Sequence, residues 1–306
     1  MSEIIYILTG PTAVGKTALA LDWAAQNEAE ILSCDSLLVY QGMDIGTAKP
    51  TAEELSRVSH HGIDCFPASQ QCHIGAYVDL ALRAVEDIFA RGKAVLVTGG
   101  SGFYLKSFFE PVFDEIQVPE FVKKQVKSLS QKGPEALLEA LESLNPEGLD
   151  TLDTQNPRRV LKALERCLAT GKTLTALKEE FAQKSSVFAP YTKKTCLLAR
   201  DPEALRQRAR ERVDKMLEAG LVDEVKALKA AGFEANPSAS QAIGYRETLA
   251  WLETEEPLEA LAQAIAQNTN ELLRKQRIWF RKQIPIDQTL DLDIETDPLG
   301  KLFSST

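Results

Sequence analysis

Gly10-Pro-Thr-Ala-Val-Gly-Lys-Thr17 decides the fold of this 306-residue chain. The octapeptide fits the pattern G-x-x-x-x-G-K-[ST] at every fixed position. A short apolar, β-rich run, Ile4-Ile-Tyr-Ile-Leu8, precedes it. An Ala/Leu-rich helical run, Thr17-Ala-Leu-Ala-Leu-Asp-Trp-Ala-Ala25, follows. Strand, loop, helix is the setting in which backbone N–H groups and a helix N-terminus cradle phosphate oxygens. Gly10, Pro11, Thr12, Ala13, Val14 and Gly15 would form the cradle. Lys16 would add a positive charge and Thr17 a hydroxyl for Mg²⁺.

Working outward, strand and helix patterns alternate up to about residue 115. A short strand at 29–33 leads into Cys34-Asp35-Ser36. A helix at 51–59 carries Thr51 and Glu54 at capping-box spacing. A strand is expected at 63–66 and an amphipathic helix at 75–91, ended by Gly92. The buried strand 93–98 runs into Gly99-Gly-Ser-Gly102, and a helix is expected at 103–109. This alternation predicts a mostly parallel sheet with helices on both faces. Residues 119–184 then read as helix throughout, with Asn156-Pro157 as N-cap and N1 and Gly171 as C-cap. A strand returns at 195–199. Further helices are expected after Asp201-Pro202, broken at Gly220, and over 238–252 and 257–283. The acidic, aromatic-poor tail from Asp287 reads as loosely held. The expected fold is therefore α/β: a sheet like that of the P-loop nucleoside triphosphate hydrolases, with an inserted all-helical domain. Residues 1–115 and 193–306 would form the catalytic core and 116–192 the insertion.

Composition narrows the functional classes. At 44% hydrophobic and 26% charged residues, the chain is an ordinary folded one. No stretch approaches the ~20 apolar residues of a membrane span. The first strand begins almost at once, so no signal peptide is expected. Five cysteines, an odd number without a C-x-x-C pair, point to a reduced, cytoplasmic protein. A monomer is expected. The net charge of −9 argues against nucleic acid, but the charge is uneven. Residues 206–216 and 271–283 are locally basic. Arg274, Arg277 and Arg281 recur at helical spacing around Trp279 and Phe280, which suits RNA as well as a solvated face on a docked helix.

In an open α/β sheet, ligands bind beyond the carboxyl ends of the strands. Topology therefore brings Asp35 and Ser101 near the phosphate loop. Asp35 can serve as a general base, hold a metal-bound water, or simply cap the next segment. The strand ending at Thr98 carries Thr-Gly-Gly where an ATPase has its metal-binding Asp, which weakens a motor reading and leaves phosphate-handling transferases. A second Gly-Lys-Thr at 171–173 lacks the upstream glycine and follows a helix, so it reads as a C-cap. His60, His61, Cys65, Cys72 and His73 match no common zinc spacing, and Cys65, in an apolar run, reads as core.

Several segments together resemble the tRNA dimethylallyltransferase (tRNA isopentenyl transferase) family. They are the phosphate loop with its Gly-Pro-Thr start, Ser33-Cys-Asp-Ser36, Tyr40-Gln-Gly-Met-Asp-Ile-Gly-Thr-Ala-Lys-Pro50 and Gly99-Gly-Ser-Gly-Phe-Tyr-Leu105. Further on come Asn156-Pro-Arg-Arg-Val-Leu-Lys-Ala-Leu-Glu165, the stretch from Arg212 to Glu224, Gln241-Ala-Ile-Gly-Tyr-Arg246 and Lys275-Gln-Arg-Ile-Trp-Phe-Arg281. The similarity spans residues 4–283. Two positions depart: Ser101 stands where the family usually has Thr, and Cys34 replaces a small apolar residue.

The resemblance implies prenyl transfer from dimethylallyl diphosphate to the exocyclic amine of the adenosine 3′ of the anticodon in tRNA. It implies that Lys16, Thr17-bound Mg²⁺ and Arg212 hold the diphosphate, that Asp35 orients the amine and takes its proton, and that Ser101 positions nucleotide or donor. Contacts with the anticodon stem-loop are implied for Asp35, Ser36, Leu37, Leu38 and Ser101, for Lys123, Arg158, Arg159, Val160, Leu161 and Lys162 in the insertion, and for Gln241, Ala242, Ile243, Gly244, Tyr245, Arg246, Arg274, Arg277 and Arg281. From the loop and Asp35 alone, three other readings stay open: a small-molecule kinase using ATP, an adenylate isopentenyltransferase acting on free nucleotide, and an RNA-binding nucleotide switch.

Overall fold

A computed structural model describes residues 3–304. Its elements follow in chain order as β1 (Ile4–Thr9), α1 (Lys16–Gln26), β2 (Ala29–Ser33), β3 (Tyr40–Gln41), α2 (Ala52–Arg57), β4 (His60–His61), β5 (Phe66–Pro67), α3 (Ile74–Ala90), β6 (Ala94–Gly99) and α4 (Gly102–Lys106). Then come α5 (Glu120–Ser130), α6 (Pro134–Ser143), α7 (Pro157–Thr170) and α8 (Leu174–Ala182). The chain returns with β7 (Thr192–Ala199), α9 (Pro202–Glu218), α10 (Leu221–Ala230), α11 (Pro237–Ser240), α12 (Tyr245–Trp251), α13 (Leu258–Gln283), β8 (Gln288–Asp291) and α14 (Pro298–Lys301). It divides into two compact units, Met1–Glu110 with Val187–Thr306, and Pro111–Ser186.

The larger unit is built on a six-stranded sheet in the order β4-β2-β6-β1-β7-β8, with every pairing parallel. β1 sits inside the sheet between β6 and β7, and its Ile5, Ile7 and Leu8 are fully buried. Its near-continuous apolar run is what a doubly covered parallel strand requires. Because β2, β6 and β1 are parallel neighbours, the loops that leave them emerge at one edge. A separate pair, β3 with β5, frames the loop that follows Asp35. The smaller unit packs α5, α6, α7 and α8 around Val122, Val126, Leu137, Leu141, Val160 and Leu164. Asn156 caps α7 by accepting from the Arg158 and Arg159 amides, and Gly171 ends it at φ 68°. Thr173 then caps α8, so the second Gly-Lys-Thr is a helix junction.

Four expectations need correction. The strand expected at 63–66 is displaced: His60–His61 joins the main sheet and Phe66–Pro67 the small one. The helix expected over 238–252 is broken at 241–244, where Gly244 takes φ 93° and its N–H is capped by the Glu247 carboxylate. An apolar run of Ala and Ile conceals that break in the sequence. Cys65 is exposed, not core. The tail is held: β8 pairs with β7, Leu302 is buried, and Phe303 packs on Tyr6 and Trp23 at centroid distances of 5.0 and 5.2 Å. Its binding comes from backbone pairing and from the aromatic contacts of Phe303, which acidic composition does not reveal. Among the described residues no helix is long and apolar enough to cross a membrane.

Candidate active site

The phosphate loop crosses from β1 to α1 with Ala13 at φ 60° and Gly15 at φ 112°. Gly15 tolerates that left-handed conformation because it has no Cβ. The loop is pinned from outside by arginines: Arg208 Nε donates to the Ala13 carbonyl at 2.8 Å, and Arg200 Nε to the Val14 carbonyl at 3.0 Å. No side chain caps α1, and no acidic residue lies in its first turn. The first helical amides and the positive end of the dipole are thus left for an anion. Pro11 and Val14 are buried, so they contribute backbone only.

Lys16 Nζ donates to the Gly10 and Pro11 carbonyls, both at 2.9 Å. Burial brings its pKa down to about 8, against the pull of Asp35 and with the push of Arg212. Neutral carbonyls are weaker acceptors than a diphosphate, so an incoming anion competes well for this ammonium. Burial likewise lowers the Arg212 pKa, opposed by Asp35. Arg212 reaches from α9 to the Thr12 hydroxyl at 3.3 Å and to the Thr47 carbonyl at 2.8 Å. Thr17 is exposed at the cavity wall beside Lys16.

Asp35 leaves the end of β2. Its Oδ1 accepts from the Leu37 N–H at 2.9 Å, so the local turn expected of an Asp here does form. The Ser101 hydroxyl accepts from the Ser36 N–H at 2.8 Å and donates to Ser36 Oγ at 3.1 Å. It braces the loop carrying Asp35 and lines neither of the cavities around that residue. Gly99 permits the crossing of these two loops, because a Cβ there would lie 2.0 Å from the Cys34 carbonyl oxygen.

Two cavities meet at Asp35. The larger, about 980 Å³, contains the phosphate loop, Lys16, Thr17, Leu38, Thr98 to Gly100, Arg208, Arg212 and Lys215. The smaller, about 350 Å³, is lined by Ser36, Leu37 and Gln241, Ala242, Ile243 and Gly244. Thr12, Asp35, Thr47, Arg212, Met216 and Gln276 line both. The larger cavity holds the phosphate loop and Lys16, and the smaller shares the Asp35 and Arg212 wall and continues to the 241–244 segment.

Other candidate residues lie elsewhere. Tyr245 is buried, with its hydroxyl on Glu224 at 2.7 Å and its ring against Gly46, so its side chain is a packing element. Arg246 pairs with the buried Glu247 at 2.6 Å. Arg274 and Arg281 are exposed and Arg277 half-buried on α13, whose Phe280 is buried. The helix thus docks an aromatic and still presents arginines. In the helical unit Arg158, Arg159, Lys162 and Lys123 are exposed, and Leu161 is half-buried. Val160 points into that unit's core, leaving only its backbone available. Of the histidines considered for zinc, His61 pairs with Glu30 and His73 caps α3.

Two residues at this site were not legible as such. Glu224 accepts from the Asp44, Ile45 and Gly46 amides at 2.9, 2.6 and 3.1 Å, fixing the loop that presents the Thr47 carbonyl to Arg212. Gln276 accepts from the Thr12 N–H at 2.9 Å and donates to the Gly100 carbonyl at 3.0 Å. Both stand inside the quoted motifs, but their partners lie far off in the chain.

Comparison with known proteins places this geometry. The sequence profile of the IPP transferase family matches residues 38–283. A tRNA dimethylallyltransferase of Opitutus terrae is 52% identical over 97% of this chain and 95% of its own. One from Thermotoga petrophila is 36% identical over 91% and 89%. The crystal structure of a tRNA delta(2)-isopentenylpyrophosphate transferase from Staphylococcus epidermidis superposes with a TM-score of 0.68 at 32% identity, covering 97% of this chain and 96% of that one. A eukaryotic dimethylallyltransferase acting on tRNA gives 0.82 at 26% identity, over 97% and 76%. With its phosphate loop, its Asp35 loop and near full-length similarity to these proteins, the chain belongs to the IPP transferase family, among the tRNA dimethylallyltransferases.

Proposed function

We propose that the chain transfers the dimethylallyl group of dimethylallyl diphosphate to the N6 amine of the adenosine 3′ of the anticodon in tRNA, releasing diphosphate. The observation that carries the reading is the shared wall: Asp35 and Arg212 line both the phosphate-loop cavity and the smaller cavity beyond it. The donor's diphosphate would lie on the loop amides, Lys16 and Arg212. Negative charge grows on the diphosphate as the allylic carbon–oxygen bond breaks, and these preorganised donors stabilise it. The nitrogen approaches from the smaller cavity, after the base has left the anticodon-loop stack. The bond from N6 to the allylic carbon forms as the carbon–oxygen bond breaks. Asp35 Oδ2, without a hydrogen-bond partner among the described residues, orients the amine and takes its proton. Ser101 acts through Ser36, holding the loop that aims Asp35.

The residues present suit Mg²⁺ carried by the diphosphate. Thr17 offers one hydroxyl at the cavity wall, and among the described residues there is no cluster of three acidic, histidine or cysteine side chains to cage the ion. Mg²⁺ characteristically keeps waters and substrate phosphate oxygens as ligands, and when bound it neutralises part of the leaving group's charge.

The helical unit Pro111–Ser186 would serve as the RNA-binding insertion, gripping the anticodon stem through Arg158, Arg159, Lys162 and Lys123. The arginines of α13 and the 241–246 segment would add contacts. Arg158→Ala should weaken tRNA binding several-fold at low salt and less at high salt, with the slope of log Kd against log salt falling by about one contact. Filter binding across a salt series checks this, and an unchanged slope removes Arg158 from the footprint. The acceptor decides the reading as a whole. Incubation with Mg²⁺ and labelled donor should label tRNA and leave AMP unlabelled. Labelled AMP with bare tRNA would instead make this an adenylate isopentenyltransferase.

A further inference from the structure

We propose that Gln276 is a positioning residue that sets the distance between the phosphate loop and the loops that aim Asp35. Its carboxamide works on both sides. Oε1 accepts from the Thr12 N–H at 2.9 Å, and Nε2 donates to the Gly100 carbonyl at 3.0 Å. Each end continues into the reaction site. The Thr12 hydroxyl takes a hydrogen bond from Arg212. Gly100 precedes Ser101, whose hydroxyl holds Ser36. One side chain therefore ties the diphosphate-binding residues to the residues that brace the general base.

The fit is specific to a carboxamide. The Thr12 amide needs an acceptor and the Gly100 carbonyl needs a donor, and a neutral Gln supplies both. A Cβ on Gly100 would lie 2.9 Å from Nε2, so the glycine there leaves the amide its room. Three residues on, the Trp279 indole lies against Gly102, where a Cβ would come within 2.7 Å of the ring. Residues three apart share a helix face, so α13 is anchored on the glycine loop at two successive points. Gln276 also lines both cavities, placing the tie where donor and acceptor meet. The consequence, which rests on the prenyl-transfer reading, is that Gln276 governs the approach of nitrogen to carbon more than the affinity for either substrate.

The test compares wild type, Gln276→Met and Gln276→Glu in steady-state kinetics with dimethylallyl diphosphate and tRNA, alongside thermal midpoints. Gln276→Met removes both hydrogen bonds without adding charge. It should lower kcat roughly tenfold to a hundredfold with both KM values within about threefold, as a small misplacement of reacting groups does. Gln276→Glu keeps the acceptor for Thr12 but turns a carboxylate oxygen on the Gly100 carbonyl and brings negative charge near Lys16. Its donor KM should rise about tenfold, and the ratio of its kcat to that of wild type at the same pH should climb as pH falls and the carboxyl regains a proton to donate. A Met variant with kcat within about twofold of wild type overturns the proposal, as does a loss confined to the tRNA KM. If the Met variant does not fold, the Glu variant decides: a kcat that climbs relative to wild type as pH falls supports the tie, and a constant ratio overturns it. Wild type that transfers no prenyl group to tRNA fails the functional reading itself, which is a separate result.

Discussion

Asp35→Asn should lower the turnover of tRNA prenylation by about a hundredfold to ten-thousandfold, the range a positioned general base supplies. That corresponds to roughly 3–5 kcal/mol of barrier. Asparagine is the informative replacement because its amide oxygen can still accept from the Leu37 N–H, as Asp35 Oδ1 does. The turn persists and the base is lost. Asp35→Ala loses both, and its turnover should be no lower than that of Asn by more than about threefold. The affinity for tRNA should stay within a few-fold in both variants. If Asn keeps wild-type turnover while Ala loses it, Asp35 serves the turn alone. Single-turnover kinetics at saturating donor distinguish the two outcomes.

Lys16→Met should reduce kcat/KM for the donor by about a hundredfold to a thousandfold, comparable to removing one preorganised donor from a charge-stabilising site. Methionine keeps the aliphatic stem that packs in the loop. The same lysine predicts a pH dependence. Its pKa is brought down to about 8 by burial, so the charged form is present below that pH and lost above it. Donor kcat/KM should therefore fall as pH rises through about 8, approaching tenfold per unit beyond it. Diphosphate binding pulls the pKa upward, so kcat should show this limb at higher pH or not at all. Lys16→Met should lack the limb. A wild-type profile flat from pH 7 to about 9.5 would remove Lys16 as the titrating contact to the diphosphate.

What the sequence made legible was local chemistry. The phosphate loop, the Thr51–Glu54 capping box, the Asn156 cap and the Gly171 C-cap each depend on residues within a few positions, and the structure contains them. Parallel strands that deliver their loops to one sheet edge follow from the alternation, and this topology alone sets Asp35 beside the phosphate loop. What was not legible has a different origin. Strand β8 is secured by β7, about 90 positions back, and Phe303 by Tyr6 and Trp23 near the other end of the chain, so a composition reading of the tail had no access to them. Ser101 stands on a correctly placed loop, and its hydrogen bonds to Ser36, 65 positions away, are seen only once the fold is known. Val160 and Tyr245 stand inside motifs with exposed neighbours, and only packing shows that their side chains face inward. Gln276 and Glu224 act across 264 and about 180 positions, respectively, a separation at which no spacing rule applies.

The phosphate loop thus takes on a meaning its pattern alone did not have. Next to Asp35 and a second cavity, it is suited to hold a leaving group while carbon is transferred to nitrogen. The most direct test is mass analysis of the nucleosides of unmodified tRNA after incubation with the protein, Mg²⁺ and dimethylallyl diphosphate. One adenosine per accepted tRNA should be heavier by a single five-carbon unit on N6, with one diphosphate released for each. Unmodified adenosine throughout, with ATP consumed and phosphate appearing on a small metabolite, would contradict it.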